Sequence, residues 1–216
     1  MTRQGHQSSK FNDILRSVDH YYSEKLSLYG ATAKGVDWNS RESQKIRFKQ
    51  LLQIFDFTQN FSIIDYGCGY GALADYLIDK GCSSFKYYGY DLSKQMISKA
   101  KELHKHLENC HFLSNQSQLK KSDYTVASGI FNVKQKIKNE VWADYVLHIL
   151  SKISKISKKG FSFNMLTSYS DKNRMRPDLY YADPLFIFDY CKKRFSNFVS
   201  LLHDYPLYEF TILVKK

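Results

Sequence analysis

Several things are scarce in this sequence, and each scarcity excludes a class. No run of apolar residues approaches the ~18 that a membrane span needs, so no contact with a membrane is expected. Met1 to Lys10 is polar and lacks the apolar region of an export signal, and the protein is therefore expected in the cytoplasm. The four cysteines, Cys68, Cys82, Cys110 and Cys191, are scattered, and no C-x-x-C pair occurs. That spacing implies reduced thiols and no structural zinc. His104, His106 and His111 lie near Cys110, but they run from a helix end into a strand start without ligand spacing, so no metal is expected. Acidic residues are also in deficit, 21 against 32 Lys and Arg, for a formal charge of +11. Such a charge favours anionic partners, from phosphorylated metabolites to nucleic acid. The basic residues are dispersed, however, and part of the excess sits in Lys134 to Lys159, where lysines alternate with a helical stripe and read as a solvated face.

What is present suits one globular unit. The 216 residues are 43% hydrophobic and 16% aromatic, enough for a full core. The centre of the chain is Ile63-Ile64-Asp65-Tyr66-Gly67-Cys68-Gly69-Tyr70-Gly71-Ala72-Leu73. Phe61 to Ile64 reads as a buried strand, and Leu73, Leu77 and Ile78 suit the helix that follows. A strand, a glycine turn and a helix N-terminus together form a cradle for a nucleotide-like ligand, because glycines permit close backbone approach and free helix N–H groups point into the same space. Gly67, Gly69 and Ala72 satisfy the dinucleotide fingerprint in its tolerant form.

The next strand, Phe85 to Tyr90, ends in Asp91, followed by Leu92 and Ser93. An acid at that tip accepts hydrogen bonds from a ribose diol in either a dinucleotide or another nucleoside cofactor; capping the helix that begins near Ser93 is the alternative. Further on, a helix is expected from Ser93 to about Leu107, strands at Cys110 to Ser114 and Asp123 to Ser128, a basic helix, and a fifth strand at Phe161 to Leu166. Asp183-Pro184 marks a helix start. Phe198 to His203 and Tyr208 to Val214 read as strands whose four-residue connection makes them antiparallel neighbours.

Asp65-x-Gly67-x-Gly69-x-Gly71, followed by an acid at the second strand tip and an antiparallel hairpin at the end of the chain, resembles the Rossmann-like (class I) S-adenosylmethionine-dependent methyltransferases. The resemblance runs from Phe61 to the C-terminus and is nearest to uncharacterised bacterial members of this size. It implies an α/β fold, a doubly wound, mostly parallel seven-stranded sheet with an antiparallel C-terminal strand. It also implies a lid of helices in residues 1–58 over a core of residues 59–216. Residues 11–22 and 48–55 carry apolar side chains at helical spacing, consistent with that lid.

Carried over by position, the resemblance implies a cofactor site of Asp65, Gly67, Cys68, Gly69, Gly71, Asp91, Leu92, Met96, Asn115, Gly129, Ile130 and Phe131. Asn115 stands where many members have an acid that meets the adenine amine; an amide oxygen can accept that bond too. Asn132, next after the cofactor loop, is the candidate for orienting the methyl acceptor, although an amide cannot act as a general base. The Asn/Asp-Pro-Pro-Tyr sequence of enzymes that methylate amino groups of nucleic acid or glutamine is absent here.

Tyr21, Tyr22 and Trp38 can line a pocket around a sulfonium. Arg47 is placed to meet the methionine carboxylate, or else lies exposed on its helix. Arg174 and Arg176, in the long loop Thr167 to Ala182, either grip an anionic group or belong to a solvated loop. The expected activity is methyl transfer to nitrogen or oxygen of a small polar, possibly anionic, metabolite. An RNA-modifying methyltransferase and a non-catalytic cofactor-binding subunit are the alternatives.

Overall fold

The structure is a computed structural model and describes residues 11–38 and 40–216; Met1 to Lys10 and Asn39, in the loop between the first two helices, lie outside the described residues. The chain runs α1 (Asn12–Tyr29), α2 (Arg41–Leu51), β1 (Phe61–Tyr66), α3 (Ala72–Asp79), β2 (Phe85–Tyr90), α4 (Lys94–Leu103), β3 (Cys110–Leu113) and β4 (Ser122–Ala127). It continues through α5 (Asn139–Ile156), β5 (Ser157–Thr167), β6 (Tyr181–Ala182), α6 (Pro184–Arg194), β7 (Phe198–Leu202) and β8 (Glu209–Lys215). The sheet order is β3-β2-β1-β4-β5-β8-β7, with β6 paired to β5. Pairings from β3 to β5 are parallel, whereas β8 is antiparallel to both β5 and β7. Seven strands on one path, mostly parallel with an antiparallel end, are as expected. The eighth strand, two residues long, falls in the stretch read as loop and is too short to show alternation.

Alternation at β1 explains why helices cover both faces. Ile63 and Ile64 are both fully buried but belong to different clusters, since successive strand residues point to opposite sides. On one side Ile64, Phe161, Phe163 and Ile212 meet Trp142, Val146 and Ile153 of α5 and Ile14 of α1. On the other, Ile63, Tyr87 and Val126 meet Leu73 and Leu77 of α3, Ile97 of α4 and Phe48 and Leu51 of α2. Both N-terminal helices therefore contribute to the two cores.

Local signals set the boundaries. Ser40 caps α2 through a reciprocal box with Ser43, and Asp183 caps α6 by accepting from Leu185 and Phe186 N–H with Pro184 in the first turn. One expected helix is shorter. The helix α4 stops at Leu103, where the buried His104 ring turns back to the Ala100 carbonyl and to Asp75. The basic helix, Asn139–Ile156, contains the expected stripe, and the chain before it is not helical because Gln135 adopts φ +52° and the N–H groups of Lys134 and Gln135 donate to the Asp178 carbonyl.

Candidate functional site

The glycine turn is held to β2 by its own backbone. Gly67 and Cys68 N–H both donate to the Tyr90 carbonyl at 2.7 and 2.9 Å, and Gly69 N–H donates to Asp91 Oδ2 at 2.9 Å. Gly67 and Gly69 have φ of +86° and +53°, a region that side chains disfavour. A Cβ on Gly67 would strike the Ile130 side chain, so the loop after β4 packs that side chain directly on the glycine turn. Asp91 Oδ1 accepts from Ser93 N–H at 2.9 Å, while the helix cap is Ser93 itself, whose Oγ accepts from Met96 N–H. Each Asp91 oxygen thus carries one backbone bond and keeps lone-pair capacity for a ligand.

A cleft opens beside this turn, with an empty volume of about 910 Å³ counting the part open to solvent. Asp65, Gly67, Cys68, Gly69, Asp91, Leu92, Met96 and Ile130 line it, together with Tyr22 and Trp38 from the N-terminal segment. Its chemistry is one-sided. Among the described residues, three carboxylates (Asp19, Asp65, Asp91) and seven aromatic rings face it, and no lysine, arginine or histidine does. Burial pushes the Asp65 carboxyl up to about 7 against the hydrogen bond from Tyr87 Oη, with the nearby Asp91 charge adding to the rise. Burial also raises Asp91, partly offset by the Ser93 and Gly69 N–H groups. The buried Cys68 thiol is raised by burial and stays protonated. Ser128 Oγ, on the cleft wall, is buried without a hydrogen-bond partner. Such a wall suits a cationic ligand with a polar group to satisfy Ser128. A pyrophosphate, as in a dinucleotide, would meet carboxylates and no cation.

Four residues of the expected cofactor set do not line the cleft. Asn115 is exposed, and its Oδ1 accepts from Ser117 N–H and Oγ at the start of a 3-10 turn. The third glycine of the motif, Gly71, faces backwards: a Cβ there would lie 2.7 Å from the His104 ring and 2.9 Å from Phe112. Phe131 is fully buried in the core, packed edge-to-face on Phe163. Gly129 lies against Trp38, whose ring occupies the space a Cβ would take.

A second cavity shares Tyr22, Val36 and Trp38 with the cleft, and Arg47, Arg174, Arg176, Asn132 and Gly129 also line it. Asn132 Oδ1 accepts from Leu166 N–H at 3.1 Å, which leaves its amide nitrogen as the group it can offer. Tyr21 is drawn away, donating to Asp37 Oδ2 at 2.8 Å. Arg47 is neither exposed nor in the cofactor cleft. Its Nε and Nη2 donate to Glu209 at 2.6–3.0 Å, its guanidinium lies 3.9 Å from the Trp38 ring, and Nη1 is buried without a partner. Glu209 also accepts from Asn164 Nδ2, and Asn164 Oδ1 accepts from Gly129 N–H. Trp38, Arg47, Glu209, Asn164 and Gly129 therefore form a closed ring of contacts. Glu209 and Asn164 escape a reading by motif because their partners are distant in sequence. Ser128 had a signal in its place next to Gly129.

Comparison with known proteins agrees with this geometry. Residues 57–173 match the family described as a methyltransferase domain. Rv1506c of Mycobacterium tuberculosis, a protein provisionally named a methyltransferase, is 48% identical over 165 residues, 76% of this chain and 99% of that protein. A SAM-dependent methyltransferase from Aquifex aeolicus superposes with a TM-score of 0.60 at 14% identity, covering 89% of this chain and 97% of its own. The N-methyltransferase NodS from Bradyrhizobium japonicum, solved with S-adenosyl-L-homocysteine, gives 0.61 at 12% identity, covering 92% and 97%. The fold, the glycine turn and the sequence relationship converge, and the chain belongs to the Rossmann-like methyltransferase domain family.

Proposed function

We propose that the protein transfers the methyl group of S-adenosylmethionine to a nitrogen or oxygen of a small polar metabolite, with the cofactor in the cleft and the acceptor in the second cavity. The observation that carries this reading is the cleft wall: among the described residues, three carboxylates and seven aromatic rings without a cationic side chain. S-adenosylmethionine has a sulfonium, an ammonium and one carboxylate, a net positive charge that such a wall favours. When bound, it supplies an activated methyl group and leaves as S-adenosylhomocysteine.

The chain's own contribution is placement. Asp91, held by Gly69 and Ser93 N–H, offers an oxygen to each hydroxyl of a ribose diol. Ser128, on the cleft wall, has an Oγ without a partner in the chain that a polar group of the cofactor can satisfy if it displaces what now covers it. Residues up to 58, through Tyr22, Val36 and Trp38, serve as a lid that both cavities share. Asn132 donates to the acceptor through Nδ2. The carboxylates of the second cavity are both engaged, Asp37 with Tyr21 and Lys25 and Glu209 with Arg47 and Asn164. An acceptor proton that must leave is accordingly passed to water.

The test is methyl-label transfer from S-adenosylmethionine to pools of small polar metabolites and, in parallel, to RNA. Labelled product in the metabolite pools supports the proposal. Label confined to RNA would replace it with the RNA-modifying reading, and a protein that binds the cofactor but labels nothing would favour a non-catalytic subunit.

A further inference from the structure

Arg47 lies at the boundary between lid and sheet with its side chain only 8% exposed. Its carboxylate partner is saturated: Glu209 receives Arg47 Nε, Arg47 Nη2 and Asn164 Nδ2. That leaves Nη1, a buried donor pair with no acceptor. A bare buried donor is unfavourable, and an arginine supplies its best bonds to an oxygen anion. Arg47 lines the second cavity and not the cofactor cleft, so that cavity is where an oxygen for Nη1 can come from, once a ligand displaces the groups that now close over this nitrogen. The surrounding charge points the same way. Three arginines line the cavity; Glu209 pairs with Arg47, Asp178 with Arg176, Asp171 lies 3.9 Å from Arg174, and Asp37 is already neutralised by Lys25 at 2.8 Å. Tyr22, Trp38, Tyr181 and Tyr208 on the same wall accommodate a flat apolar body beside the charged end.

We propose that the methyl acceptor carries a carboxylate, which Arg47 Nη1 binds in the second cavity with Arg174 and Arg176 at its side, so that Arg47 is the specificity-determining residue for the acceptor. This rests on the reading of the second cavity as the acceptor site. Glu209 then has a defined role: it holds the guanidinium in plane against Trp38 and tempers its charge. Removing the charge of Glu209 while keeping its shape should strengthen carboxylate binding, an effect opposite to that of a merely structural pair.

The experiment compares the wild type, Glu209→Gln and the double variant Arg47→Gln/Glu209→Gln, which removes both charges together and avoids an unpaired buried ion. Each is titrated with S-adenosylhomocysteine by calorimetry. Each is then titrated with benzoate and with its neutral counterpart benzamide, with and without S-adenosylhomocysteine, following tryptophan emission because Trp38 stacks on Arg47. The expected results are saturable benzoate binding on the order of millimolar, benzamide at least about ten-fold weaker, benzoate about three-fold or more tighter in Glu209→Gln, and no benzoate preference in the double variant. S-adenosylhomocysteine affinity should fall by no more than about three-fold throughout, because Arg47 reaches the cleft only through Trp38. Equal binding of benzoate and benzamide, benzoate binding untouched in the double variant, or no saturable carboxylate binding would overturn the proposal. A loss of S-adenosylhomocysteine affinity in the double variant alone would also overturn it, by moving the carboxylate to the cofactor. Failure of the wild type to bind S-adenosylhomocysteine would refute the cofactor reading separately, because the benzoate arms are also run without it.

Discussion

Arg47 and Glu209, 162 positions apart, form a bidentate pair at 2.6–3.0 Å that joins the second helix to the start of the last strand. Their side chains are 8% and 1% exposed, so removing one partner strands a charge in the interior. Glu209→Ala is expected to cost about 3–5 kcal/mol of stability, read by urea denaturation. Replacing both residues with apolar ones of similar volume should cost far less, because no bare charge is left. Equal losses in the two variants would show that packing and not charge governs this site.

Trp38 lies against Gly129, with no room for a Cβ. Gly129→Ala should displace the indole and shift its emission to the red. Trp142 provides a fixed background, since it is buried and its Nε1 donates to the Phe131 carbonyl at 2.8 Å. Methyl transfer should fall by about ten-fold or more, since misplacing a lid contact disturbs both cavities. Unchanged emission in the folded variant would mean that the segment carrying Trp38 does not rest on this loop in solution.

Gly71 separates motif from contact. Its missing side chain makes room for His104 and Phe112, behind the cleft. Gly71→Ala should therefore destabilise the fold by about 1–3 kcal/mol through overpacking. Cofactor affinity, measured where the variant is still folded, should change by less than about three-fold. A large affinity loss at unchanged stability would return Gly71 to the binding surface.

These cases show where the sequence was legible. Strands with alternating or continuous apolar residues, the glycine turn and the Ser40 and Asp183 caps are local patterns, and the parallel order followed from strands separated by helices. The placement of Asp65, Gly67, Gly69 and Asp91 on the cleft came from the same local reading, and that of Met96 from the family resemblance. What local pattern does not encode is which face of a turn a residue takes. Gly71 points to the core, Asn115 spends its oxygen on a cap, and Phe131 is buried beneath the loop that carries it. Arg47 shows the limit most clearly, because its partner is chosen by the packing of α2 on β8 and no spacing announces it.

The Asp65 carboxyl, pushed up to about 7 mainly by burial, makes stability and binding respond oppositely to pH. A carboxyl raised in the folded state holds its proton more tightly there than when unfolded. Its contribution to stability is present below its ordinary value of 3.8 and is lost as pH rises towards and through about 7. A cationic ligand gains as the same group ionises. Asp65→Asn should flatten this loss of stability and bind S-adenosylmethionine, the cationic form of the cofactor, more weakly at pH 8, as shown by thermal melts and calorimetry between pH 5 and 8. Parallel pH profiles for variant and wild type would remove Asp65 from both roles.

The central claim, that the cleft is built for S-adenosylmethionine, is tested most directly by calorimetric titration with S-adenosylhomocysteine, with NAD(H) as the control and Asp91→Ala as the variant. The account predicts affinity on the order of micromolar for S-adenosylhomocysteine, no binding of NAD(H), and a loss of about ten-fold or more in Asp91→Ala. Binding of NAD(H) in place of S-adenosylhomocysteine, or of neither, would contradict it.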